Sequence, residues 1–75
     1  MKPEILDVVQ LVEAMPSERL AKGARGVIVH AYSAPQEAYE VEFCDEIGET
    51  LAQVALTPDR FRVVRLNARE SAKVA

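Results

Sequence analysis

Three observations predict an all-β domain, a small five-stranded barrel with a short 3₁₀ turn before its last strand and a C-terminal tail. The central residues alternate apolar and polar with a period of two. Glycine, proline and short acidic segments punctuate the chain at strand-sized intervals. The chain has 75 residues, room for one thin core and no more. We expect the barrel domain to occupy 1–66 and a frayed or weakly helical tail to follow at 67–75.

Residues 5–12 are rich in β-branched side chains and read as the first strand. Pro16 and Ser17 end it, and 13–25 reads as a long loop with one helical turn started by Ser17. Gly23 is predicted to need a positive φ. Gly26 is predicted to open the next strand where a neighbouring backbone comes close. Residues 27–32 form the second strand, and 33–37 a polar connection. The third strand is the clearest: over 38–44, Tyr39, Val41 and Phe43 fall on one face and Glu40 and Glu42 on the other. Asp45-Glu46-Ile47-Gly48 reads as a hairpin turn with Gly48 in a left-handed position. Residues 50–56 make the fourth strand, 57–60 a 3₁₀ turn, and 61–65 the fifth strand. Such a barrel limits exposed edges by curling on itself.

Composition narrows the function. Apolar residues make up 49% and charged residues 28%, an ordinary globular balance without a membrane-spanning run. The N-terminus lacks the long apolar stretch of a secretory leader, and one cysteine cannot form an internal disulfide, so a cytoplasmic location is expected. With one histidine and one cysteine the chain cannot supply a closed zinc site, and no cofactor is implied. A net charge of −3 weighs against non-specific nucleic-acid binding. The charge is nevertheless polarised. Residues 37–49 carry six acids and no base, whereas 60–73 carry five bases and one acid.

Single residues favour plain readings. His30 alone makes neither a triad nor a metal site and reads as a strand-surface residue. Cys44 shares a face with Glu40 and Glu42 and reads as inert and partly buried. Glu40 and Glu42 are two carboxylates on one strand face, but a slim barrel offers no cleft to tune either as an acid. Gly23, Gly26 and Lys22 precede a strand, whereas a phosphate loop needs a helix there. Tyr32, Tyr39 and Phe61 are the candidates for an aromatic groove; parity puts Tyr39 in the core and Tyr32 on the surface. The acidic and basic stretches read either as cross-strand neighbours or as two poles of one binding surface.

The segments Glu4–Leu11, Leu20–Val29, Ala38–Phe43 through Thr50, and Leu56–Val64 together resemble a family of short bacterial proteins classed as domain of unknown function four-nine-two-six. The resemblance implies an SH3-like barrel and supplies no activity or catalytic residue. It also implies partners among toxin-like or neighbouring-gene products. The Leu20-x-x-Gly23-x-x-Gly26-x-Ile28 stretch further resembles the opening of KOW domains, which bind RNA or protein. We therefore expect a non-enzymatic protein-interaction module that binds a protein partner or itself, with Tyr32, Glu40, Glu42, Arg60, Arg62 and Arg65 as candidate contact residues. A KOW-like nucleic-acid-binding barrel is the alternative. No small-molecule substrate and no membrane contact are expected.

Overall fold

The computed structural model describes residues 2–65. The tail expected at 67–75 lies outside them. Five strands form one antiparallel sheet: β1 (Val8–Leu11), β2 (Arg25–Tyr32), β3 (Ala38–Cys44), β4 (Thr50–Leu56) and β5 (Phe61–Arg65). Their order across the sheet is β4-β3-β2-β1-β5. Two 3₁₀ turns, Pro16–Glu18 and Pro58–Arg60, complete the described elements. Each opens on proline, whose fixed φ suits a first helical position and whose missing N–H is not needed there.

The first strand is shorter than the apolar run that predicts it. Ile5 and Leu6 lie in a turn, with Leu6 at φ 76°. The Asp7 N–H donates to the Glu4 carbonyl at 3.0 Å, and the Asp7 carboxylate accepts from the Glu4 N–H at 2.9 Å. These bonds close a loop that an extended chain could not make, so β1 begins at Val8. β2 conversely begins two residues before the predicted Val27, because Gly26 and Arg25 pair with Val9 and Gln10.

Gly23 has φ +87° and Gly48 φ +89°, the left-handed region in which a Cβ is strained. Gly26 is needed for space. A Cβ there would stand 2.6 Å from Val41 Cγ1 and 2.9 Å from the Glu42 carbonyl oxygen.

One face of the sheet buries Val9, Leu11, Ile28, Tyr39, Val41, Phe43, Leu56 and Phe61, with Leu20 added from the loop after β1. Phe43, Ile28, Val9 and Val41 are the largest fully buried side chains. Each such burial stabilises by about 1.5–3 kcal/mol.

The sheet must coil tightly. β3 and β5 are three strand spacings apart in the order, about 14 Å on a flat sheet. Yet the Tyr39 and Phe61 rings meet edge-on with centroids 5.8 Å apart. The link between β4 and β5 requires the same bend. Leu56 and Phe61 are joined by a chain that reaches at most about 18 Å when extended and less through a 3₁₀ turn. The flat-sheet separation of those edges is about 19 Å.

Candidate interaction surface

Strict alternation along β2 would put Gly26, Ile28, His30 and Tyr32 on one face. The register breaks that rule. Ile28 pairs with Val41 and His30 pairs with Glu40, leaving Val29 as an extra residue in a β-bulge. A one-residue slip exchanges faces, so His30 and Tyr32 turn away from the core to lie beside Glu40. The two rings pack edge-on at 4.6 Å. The Tyr32 hydroxyl donates to Glu40 Oε1 at 3.0 Å, and Gln53 Nε2 on β4 donates to Glu40 Oε2 at 3.3 Å. The bond to Glu40 raises the Tyr32 pKa above its ordinary value, with desolvation and the carboxylate charge acting in the same direction.

A second bulge repeats the device between β3 and β4. Phe43 pairs with Ala52 and Cys44 with Thr50, so Leu51 is the extra residue. Thr50 thereby comes beside Glu42, and its hydroxyl donates to Glu42 Oε2 at 2.6 Å. His30, Tyr32, Glu40, Glu42, Thr50 and Gln53 form one exposed to half-buried polar face across β2, β3 and β4. Cys44 borders it and is exposed, which corrects the expectation of a partly buried thiol. The cause is position: Cys44 ends β3 on the face away from the core.

The arginines lie elsewhere. Gln10 on β1 is flanked in register by Arg25 on β2 and Arg62 on β5. Arg62 Nη2 donates to Gln10 Oε1 at 2.7 Å, and Gln10 Nε2 donates to the Gly23 carbonyl at 3.1 Å. Gln10, Lys22, Gly23 and Arg62 help line an open depression of about 500 Å³. Arg60 is exposed in the second 3₁₀ turn, where its carbonyl accepts from the Val12 N–H at 3.0 Å. The Thr57 hydroxyl beside it donates to Asp59 and lowers that carboxyl's pKa, with Arg60 acting in the same direction. Arg65 pairs with Val8.

The candidate residues therefore divide. Tyr32, Glu40 and Glu42 meet on one face, and Arg60 and Arg62 stand on the far side of the sheet order. Acidic β3 and basic β5 are separated by β2 and β1, so they are not cross-strand neighbours. Phe61 is a core residue and adds nothing to a surface groove. Sequence reasoning missed Arg25, Gln10, Thr50 and Gln53. Their roles depend on register, which no local pattern encodes.

Among the described residues no group of three or more His, Cys, Asp or Glu side chains could hold a metal ion. Another open depression, about 450 Å³, lies at the β3–β4 hairpin against Cys44, Asp45, Glu46 and Ile47. Among the described residues no helix is long and apolar enough to cross a membrane.

Fold and surface together define a small all-β domain with its polar chemistry laid out on exposed strand faces. A family model described as Domain of unknown function (DUF4926) matches residues 5–63, and the chain belongs to that family. No curated protein and no solved structure matches it.

Proposed function

We propose that the chain is a non-enzymatic protein-interaction module built on an SH3-like barrel, working in the bacterial cytoplasm. It binds a protein partner, a toxin-like protein or a neighbouring-gene product, through the outer face of β2–β4. One observation carries this reading: the bulge at Val29 spends regular pairing to turn His30 and Tyr32 outward beside Glu40. Bulges recur where a side chain must be re-aimed, and tyrosine is enriched at interface anchors. Glu40 and Glu42 flank the aromatic pair, so the partner's complementary surface is basic.

The test is affinity capture with the wild type and with a Tyr32→Ala/Glu40→Lys double variant, both sites being outside the core. A partner held by the wild type and lost by a variant of unchanged melting temperature supports the reading. Equal retention by both, or no specific partner, overturns it.

A nucleic-acid-binding barrel is the second reading, favoured by the row Arg25-Gln10-Arg62 with Lys22 beside it. It requires retention of RNA or DNA at about 50 mM salt, falling steeply as salt rises. Arg25→Gln/Arg62→Gln must abolish that retention.

A further inference from the structure

Among the described residues β4 ends the strand order, with β3 as its one ladder partner, and the sequence of this edge is Thr-Leu-Ala-Gln-Val-Ala-Leu. Proteins guard such edges with charge or proline. The opposite edge, β5, carries Arg62 and Arg65; β4 carries no charge and no proline along its seven residues, and its bulge at Leu51 lies near its start and leaves 52–56 regular.

Which amides of β4 face outward follows from the ladders. The Leu11 N–H donates to the Ala24 carbonyl and the Ile28 N–H to the Asp7 carbonyl, so residues 24, 26 and 28 turn their backbone groups toward β1. Directions alternate along a strand, so Val27 faces β3 and its partner Glu42 faces back. Val41 and Phe43 then face β4, where they pair with Val54 and Ala52. Gln53 and Ala55 are left with N–H and C=O turned away from the sheet.

We propose that this edge pairs antiparallel with β4 of a second copy of the chain, Gln53 opposite Gln53 and Leu51 opposite Ala55. The strand is self-complementary in that register. No like charges meet along it. The two Gln53 amides each donate and accept. Leu51, 59% exposed, lies against the small Ala55 of its neighbour. Orientation follows from the ends of the strand. Antiparallel pairing sets the acidic hairpin with Glu46 and Glu49 of one copy toward Arg60 of the other, whereas parallel pairing would set one acidic hairpin on another.

The inference extends the interaction-module reading and shares Gln53 with it, but it rests on the outward backbone of β4 rather than on Tyr32, so the two fail separately. Sedimentation equilibrium from about 10 μM to about 1 mM is the assay. An interface this small predicts a reversible dimer with a Kd of about 100 μM. Leu51→Lys sets a cation on Ala55 of the neighbour. Ala55→Pro removes an outward N–H without taking a bond from the β3 ladder. Each is expected to weaken the dimer about tenfold or more. Tyr32→Ala, at a side chain that bonds Glu40 and packs on His30 rather than on the β4 edge, leaves it unchanged. Hydrogen exchange at Gln53 and Ala55 should slow with rising concentration while β5 amides do not respond. A wild type that stays monomeric to about 1 mM, or a dimer undisturbed by Leu51→Lys, overturns the proposal. If Ala55→Pro does not fold, Leu51→Lys decides, since that side chain lies outside the core.

Discussion

Gly26→Ala tests how closely β2 and β3 are packed. The added methyl would meet Val41 Cγ1 at 2.6 Å, the Glu42 carbonyl oxygen at 2.9 Å and Phe43 Cδ1 at 2.9 Å. The valine could rotate, but the carbonyl belongs to the neighbouring backbone and moves only if the strands part. Overpacking of this kind costs up to about 3 kcal/mol. Alanine also restricts the unfolded chain, which returns about 0.7 kcal/mol. The net destabilisation is therefore about 2 kcal/mol, a fall in melting temperature of about 8–16 °C for a domain of this size. Far-ultraviolet circular dichroism, by thermal melt and urea titration, measures it. Gly48→Ala is the informative control, because nothing lies within 4 Å of its Cβ position and only its φ of +89° opposes the change. It should cost about 1 kcal/mol. A Gly26→Ala protein as stable as the wild type, or a larger loss at Gly48 than at Gly26, would refute the packing argument.

Phe43→Ala removes the largest fully buried side chain at about 3–5 kcal/mol and should leave the chain largely unfolded at 25 °C, read as a lost near-ultraviolet signal. Arg19 holds φ 59° at the end of the first 3₁₀ turn, so Arg19→Gly should raise stability by about 0.5–1 kcal/mol in urea titration. Tyr39, only 3% exposed, donates to the Glu37 carboxylate, and that bond pushes its pKa up to about 12. The unfolded chain releases the same proton at about 10. The contribution of this bond is therefore whole below pH 10 and is lost as pH rises toward 12. Tyr39→Phe should flatten the urea midpoint across that interval, and absorbance at 295 nm should show one tyrosine ionising late.

The sequence made most of the fold legible. Strict alternation over Ala38–Cys44, between a polar connection and a glycine turn, located β3 to the residue. Proline and a short polar segment located the turn at Pro58–Arg60 and with it the start of β5. What stayed hidden was long-range. The apolar run at Ile5 looks extended, but the Leu6 N–H bonds to the Ile28 carbonyl at 2.8 Å from a left-handed conformation that no local pattern favours. The candidate surface was half legible. Alternation alone gave Glu40 and Glu42 their face. Parity also put Tyr32 on the surface, but it could not show the extra residues at Val29 and Leu51 that set Tyr32 and Thr50 on the side of Glu40 and Glu42. A bulge is set by which residues the partner strand offers, and that is decided only when the sheet assembles.

The place of β1 between β2 and β5 has a consequence in time. Four residues near the start of the chain must wait for Phe61–Arg65 before both their sides are paired. While a ribosome is still delivering Phe61–Arg65, the β2–β3–β4 hairpins can form, but their apolar side is open. The interval between the emergence of Leu56 and that of Arg65 is thus when the nascent chain is most exposed to sticking to another of its kind.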